Sequence, residues 1–364
     1  MKFIKSSYEV RNIPDANDHD EVLKHLERIG RVCYKSEDKI TDESAHRFLE
    51  MIRDRGHWAM LEHFIFVMEV PSYIYDAIIY AQENFPLDYE LHNRLKYIDA
   101  TPYITDNVDI SKIDYNNDTS TSDRYIVSGS ATAFNNIWKC KSMQTCNLYP
   151  IAEVCTFLLH NYPELMIHND TVVSYDKRIR FLSKDEIKSL PISLRMIHDS
   201  MSIHFITSRA VSHDLVRHRP ASWAMESTRY VNYFKRFGIQ YIIPVWFSDE
   251  TKKKLLSNDF ESHTEDDVIK FIEDCKRVES VYNNFIECNN YRPEQAMHML
   301  PHKLKTELTM TARLSEWRHF FTMRADSHAR LELREIVVPL FWQMLDEEPD
   351  IFGDLNWIET GMEK

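Results

Sequence analysis

Apolar residues recur along the chain with two periods, and each predicts an element. Val22, Leu23, Leu26, Ile29, Val32 and Cys33 fall at helical spacing and predict an amphipathic helix over 20–34. Thr41–Arg55 reads as a second helix, with Thr41 as its N-cap and Glu43 and Ser44 in its first turn. His63–Val70 (HFIFVMEV) is a short apolar run closed by Pro71, as expected of a buried strand, and 72–85 returns to helical spacing. From 101 to 130 Asn, Asp, Ser and Thr dominate, which predicts an exposed excursion. Residues 131–163 read as helical and 166–190 as mixed.

Ser200–Thr207 reads as a strand, Arg209–Arg217 as a short helix that stops near His218 because Pro220 disfavours helical geometry at Arg219, and Ile239–Phe247 as strand-like. A long helical pattern covers 264–290, and Pro293 opens a further helical stretch ending near Pro301. Residues 304–323 and 327–345 read as a closing helical pair, with Asp326 as a cap and Pro339 kinking the second helix.

Composition narrows the class. The 364 residues are 43% hydrophobic and 12% aromatic, which supports a sizeable core. A net charge of −13 argues against a broad nucleic-acid footprint. Only six glycines occur, and neither GxGxxG nor GxxxxGK[ST] is present, so a bound nucleotide must be held by side chains. The six cysteines (Cys33, Cys140, Cys146, Cys155, Cys275, Cys288) form no CxxC pair, as expected of reduced thiols in a cytoplasmic protein. MKFIKSSYEV lacks the apolar run of a signal peptide, and no segment approaches the roughly 20 apolar residues of a membrane span.

Against this acidic background, Arg217–Arg229 (RHRPASWAMESTR) stands out. Three arginines and a histidine are joined by the hydroxyls of Ser222, Ser227 and Thr228, with Glu226 the one acid. The guanidinium fork matches phosphate oxygens and hydroxyls can complete the shell, so the segment is expected to bind an anion. Placed at a helix end and the following loop, these side chains can converge on a ligand.

The spacing Arg217-His218-Arg219, Ser222, Ser227, Arg229, Tyr230 resembles the RHRxxSxxxxSxRY signature of the flavin-dependent thymidylate synthases. Further stretches are similar to the family's patterns: Arg31–Tyr34, Gly56–His63 with its GHxxxxEH spacing, Pro293–Ala296 followed by Leu300-Pro301, and Trp317–Phe321 followed by Arg324. The resemblance covers about 20–70 and 200–345, and it places a family core at 1–71 and 199–364 around an insertion at 72–198. It implies an α+β fold, a mixed or antiparallel central sheet with packed helices and a largely helical insertion. It also implies a homotetramer with shared active sites, acting on small molecules rather than nucleic acid or membrane.

The implied reaction is the methylation of dUMP to dTMP, with FAD as cofactor and methylenetetrahydrofolate and NADPH as co-substrates. By resemblance Arg217, His218, Arg219, Arg313, His319, Ala59 and Glu62 face the flavin. Asp214, Arg217, Glu226, Ser227, Thr228, Arg229, Arg324 and His57 face the nucleotide. Arg324 is the catalytic residue, its cation stabilising negative charge as the uracil N3 loses its proton, so that no cysteine nucleophile is needed. No metal is implied.

The pattern is broken at several positions. Met297 stands where the family has an arginine that contacts dUMP, Met225 where Gln or Glu is usual, and Arg313 in place of an asparagine. Loss of a charged hydrogen bond to a ligand costs about 1.5–3 kcal/mol, so either Arg313 or Lys303 substitutes, or the substrate is another pyrimidine deoxynucleotide such as dCMP. Two readings from other classes are a single-stranded nucleic-acid binding module built on Arg217, Arg219, Arg229 and Tyr230, and a metal hydrolase drawing on the 17 histidines. The acidity opposes the first, and the absence of HExxH opposes the second.

Overall fold

The computed structural model describes residues 1–84, 98–103, 124–139, 149–169, 172–236 and 238–361. Its strands are β1 (Lys2–Ile4), β2 (Ser7–Arg11), β3 (Ile65–Val70), β4 (Asp99–Tyr103), β5 (Arg124–Ser130), β6 (Arg180–Phe181), β7 (Ser200–Ser208), β8 (Ser222–Met225), β9 (Gln240–Ile242) and β10 (Lys305–Arg313). With helices packed on antiparallel sheets, the fold is α+β. Two compact units divide the chain: Met1–Asn12, Arg28–Lys39 and Met201–Lys364 form the first, Ile13–Glu27 and Ile40–Ser200 the second. The helix His19–Tyr34 contributes to both, and the residues that set its periodicity in the sequence, Val22, Leu23, Leu26, Ile29 and Val32, are buried.

In the first unit β2-β7-β10-β8 form a four-stranded sheet, and β1 pairs in parallel with β9. β8 lies antiparallel to β10, Met225 opposite Leu308 and Ser222 opposite Thr311. The helix Asp266–Glu287 turns Val268, Ile272, Cys275, Val278, Tyr282 and Ile286 inward along one face. That face joins a core with Phe3, Tyr233 and Tyr241. The expected strand over 239–247 shrinks to Gln240–Ile242, since Pro244 has no N–H to extend the ladder.

The largest departure from the sequence expectation is at 304–323. Lys305–Arg313 is a strand, and the helix begins only at Leu314, running to Arg324. Thr306, Thr309 and Thr311 are β-branched and favour extended backbone. Burial on both faces of β10 removes the apolar–polar alternation that would have revealed it. Trp317 on the following helix is fully buried and donates from Nε1 to the Met201 carbonyl at 2.9 Å. The last long helix is Leu331–Glu347, with Pro339 inside it. Arg330 holds its N-cap position, not Asp326, whose carboxylate instead accepts from the His328 N–H.

In the second unit β4-β5-β3-β6 form an antiparallel sheet, with Ile65 opposite Ser130 and Val70 opposite Tyr125. The stretch read as an exposed excursion therefore supplies strands: Ile126 and Val127 on β5 are buried, and the serines around them had hidden the strand in the composition. The described part of 72–198 is largely helical, as expected, and also carries β4, β5 and β6. The expected helix over 131–163 appears as Ala131–Trp138 and Tyr149–Asn161, and 104–123 and 140–148 lie outside the described residues. Ser130 caps the first of these by accepting from Ala133 N–H. The second helix of the chain is Ser44–Asp54, not capped by Thr41: Glu43 holds the cap position, and the Ser44 hydroxyl donates to Glu27 at 2.9 Å.

Cys155, Cys275 and Cys288 are free thiols, while Cys140 and Cys146 lie outside the described residues. No helix among the described residues is long and apolar enough to cross a membrane.

Candidate active site

The Arg217–Tyr230 segment is shaped by the elements on either side of it. β7 leads into the helix Arg209–Leu215, which Ser208 caps by accepting from the Val211 N–H at 3.2 Å. The helix stops at Leu215, and His218 N–H returns to the Leu215 carbonyl at 3.0 Å. The Arg-His-Arg triplet thus lies in the connection to β8, as the Pro220 argument requires. Trp223 on β8 ties back to it, donating from Nε1 to the His218 carbonyl at 3.3 Å.

Alternating burial splits the triplet. Arg217 and Arg219 are exposed and make no side-chain hydrogen bond or ion pair among the described residues. His218 between them is buried, with its ring 5.2 Å from that of His319 and 5.3 Å from that of Phe320. Burial pushes the His218 pKa down to about 4, and the nearby His319 and Arg324 push the same way against a hydrogen bond to the Glu316 backbone. The ring is therefore neutral near pH 7. His218 Nε2 and Arg324 Nε are both buried without a hydrogen-bond partner among the described residues. These two orphaned polar atoms, and the exposed guanidinium groups on either side of His218 in sequence, are donors available to a ligand rich in hydrogen-bonding atoms and negative charge.

Beyond β8 the hydroxyl-bearing part of the segment turns back on itself. Ser227 N–H donates to the Cys33 carbonyl, and the N–H groups of Tyr230 and Val231 donate to the Ser227 carbonyl, all at 3.1 Å. Arg229 is exposed over the Tyr230 ring, which lies 5.6 Å from that of Tyr34. The Thr228 hydroxyl lies 3.6 Å from the Met297 sulfur, so Met297 stands directly beside this hydroxyl.

Glu226 is turned inward. Its carboxylate accepts from the Tyr233 hydroxyl at 2.7 Å and from Lys305 Nζ at 3.0 Å, with 1% of the residue exposed. Lys305 also contacts Glu307, which binds Lys35 at 2.6 Å and lies 3.4 Å from His204 Nε2. The sequence reading missed Lys35, His204, Tyr233, Lys305 and Glu307. The signal was the Lys305-x-Glu307 spacing, which puts both side chains on one face of a strand but on different faces of a helix.

Burial opposes ionisation of Glu307, but His204 and the two lysines outweigh it and hold its carboxyl well below its ordinary value of 4.5. A depressed carboxylate contributes its full stabilisation above the unfolded pKa and loses it as pH falls through the folded one. Unfolding midpoints in urea should therefore show no loss from this group near neutral pH and a growing loss below 4.5, a loss that Glu307→Gln removes.

The remaining expected residues are spread more widely. His319 is exposed beside His218, and Arg313 takes the N-cap position of the helix Leu314–Arg324. Asp214 pairs with Arg330 at 3.3 Å. Lys303, expected as a stand-in for the missing arginine, is committed to Asp274 at 2.5 Å. His57, Ala59 and Glu62 belong to the second unit, where His57 precedes the short 3-10 helix Trp58–His63. The structure thus brings His218, His319 and Arg324 together and gathers Ser227, Thr228 and Arg229 beyond β8.

Residues 194–350 match the family model described as thymidylate synthase complementing protein. This segment is Thy1-like. Flavin-dependent thymidylate synthases of Mycobacteroides abscessus and Mycolicibacterium vanbaalenii are similar to it, 26% identical over 165 residues and 29% over 163. These matches cover 45% and 44% of this chain, and 65% and 63% of the relatives' own length. A crystal structure of thymidylate synthase X from Helicobacter pylori with FAD and dUMP matches 43% of this chain and 72% of that one at 18% identity. Its TM-score of 0.30 is too low to establish a shared arrangement.

Proposed function

We propose that the chain is a flavin-dependent thymidylate synthase, an FAD-dependent methyltransferase that converts dUMP to dTMP with methylenetetrahydrofolate as carbon donor and NADPH as reductant. It would work as a cytoplasmic homotetramer with shared active sites. The observation that carries this reading is the orphaned His218 Nε2 and Arg324 Nε, with His218 flanked in sequence by the exposed Arg217 and Arg219, in a Thy1-like segment.

The donor set fits FAD: neutral His218 can donate or accept a hydrogen bond to a ring, and the arginines can take the pyrophosphate. Arg313, His319, Ala59 and Glu62 complete the proposed flavin residues. When bound, FAD supplies the hydride chemistry and the protein supplies orientation and field. Ser227, Thr228 and Arg229 hold the nucleotide phosphate, with Asp214 and His57 as further nucleotide contacts. The Arg324 guanidinium stabilises negative charge as uracil N3 is deprotonated, which makes C5 nucleophilic. Glu226, assigned to the nucleotide by resemblance, acts instead as a positioning residue: through Lys305 and Tyr233 it fixes the strand end from which Ser227 and Thr228 project.

The test is NADPH oxidation by the purified, FAD-loaded protein. Oxidation stimulated by dUMP, with dTMP formed when methylenetetrahydrofolate is added, is the expected result. Failure of dUMP to bind or to stimulate oxidation contradicts the proposal. The contact between Met297 and Thr228 favours a second reading, in which dCMP replaces dUMP because the family arginine is gone. Calorimetric titration separates the two, and tighter binding of dUMP removes the second.

A further inference from the structure

His19, Asp20, His46 and Glu164 form a closed ring in the second unit, outside the Thy1-like segment. His19 Nε2 lies 3.1 Å from one Glu164 carboxylate oxygen and His46 Nδ1 lies 2.9 Å from the other. The opposite ring nitrogens face a single oxygen of Asp20, His19 Nδ1 at 3.3 Å and His46 Nε2 at 3.6 Å. Among the described residues, the ligand atoms of His19, Asp20 and His46 all lie within 4.8 Å of one another.

Glu164 decides what this arrangement can hold. Its side chain is 10% exposed, against 70% for Asp20. Its two oxygens each lie within hydrogen-bond distance of one imidazole nitrogen, His19 Nε2 and His46 Nδ1, which leaves the other nitrogen of each ring for a ligand. Those remaining nitrogens, His19 Nδ1 and His46 Nε2, both face the same Asp20 oxygen. Three electron donors turned toward one small space, with a carboxylate bonded behind each imidazole, are the arrangement that orients histidine ligands around a metal ion.

The turn that carries Glu164 is rigid. Tyr162 is buried and donates from its hydroxyl to the Ala16 carbonyl at 2.5 Å, and Arg53 donates to the Pro163 carbonyl at 2.7 Å. Buried Asn135 donates to the Leu165 carbonyl at 2.8 Å and accepts from the Ile167 N–H at 2.9 Å. The cluster is open to solvent at Asp20, 70% exposed, and at His46, 47% exposed.

We propose that His19, Asp20 and His46 bind a zinc-class divalent cation, with Glu164 as the carboxylate that orients both imidazoles. Two imidazoles and one carboxylate suit Zn²⁺, Co²⁺ or Ni²⁺ rather than Mg²⁺ or Ca²⁺, and leave a coordination position to water. The ion clasps the helix His19–Tyr34, the helix Ser44–Asp54 and the Tyr162–Leu165 turn.

The test is calorimetric titration of the metal-stripped full chain with Zn²⁺ at neutral pH. Exposed histidines elsewhere can also take zinc, so the reading is the difference between proteins. The wild type should bind one more equivalent than His46→Ala and Asp20→Asn. His46 is about half exposed, so its loss should leave the fold intact by circular dichroism. Glu164→Gln should keep the stoichiometry and weaken the site about 10–100-fold. Cobalt should give the visible bands of a low-coordinate site in the wild type and not in His46→Ala. Equal zinc uptake by all the proteins overturns the proposal. So does no uptake by the wild type, which would leave the ring as a cluster that holds protons.

Discussion

Lys305→Met should lower the unfolding free energy by about 3–5 kcal/mol, the cost of leaving a buried charge without its partner. Glu226 beside it is 1% exposed and Lys305 is 4% exposed, so water cannot replace the lost ammonium. The Tyr233 hydroxyl would remain on one Glu226 oxygen, and Lys35 and His204 would remain on Glu307. Urea unfolding measures the loss. The double variant Lys305→Met/Glu226→Leu should recover most of it, because it removes the orphaned carboxylate together with its partner. Recovery of stability together with nucleotide binding would show that Glu226 makes no direct contact with the nucleotide. A stable double variant that no longer binds nucleotide would instead assign Glu226 a direct contact.

Arg324→Ala should reduce kcat on the order of 10²–10³-fold, the usual effect of removing one donor to developing charge. The nearest competing role is structural. Arg324 lies in the last turn of the helix Leu314–Arg324, where a cation favours the dipole by about 0.3–1 kcal/mol. That role predicts a small loss of stability and an unchanged rate in the folded protein. Steady-state kinetics on folded Arg324→Ala therefore separates the two. Because the guanidinium would act on charge that develops during reaction, kcat and kcat/KM should fall together.

The segment from Arg217 to Tyr230 was legible because its information is local: proline geometry ended the helix before Arg219, and residue types marked an anion site. The long helix Asp266–Glu287 was legible for the same reason, its buried positions falling on one stripe. β10 was not, because a strand buried on both faces shows no alternation, and neighbouring helical residues drew it into their pattern. Misreading β10 also concealed the Lys305–Glu307 pair, whose shared face exists only in extended backbone. β5 was concealed by polarity, since its serines are satisfied within the fold: Ser128 bonds His198 at 2.7 Å. The His19–Asp20–His46–Glu164 ring had no signature, since Glu164 lies 145 residues from His19 and 118 from His46 along the chain.

The most direct test of the proposed flavin site is titration of the apoprotein with FAD, comparing wild type with Arg217→Ala/Arg219→Ala. Both side chains are exposed and unpaired, so the double variant should fold with unchanged stability. Each lost charge-assisted bond should cost about 1.5–3 kcal/mol, or tenfold or more in affinity per arginine. Tight FAD binding by the wild type and a loss of about 100-fold or more in the variant is the expected result. Equal affinity in the two proteins, or no flavin binding by the wild type, would contradict it.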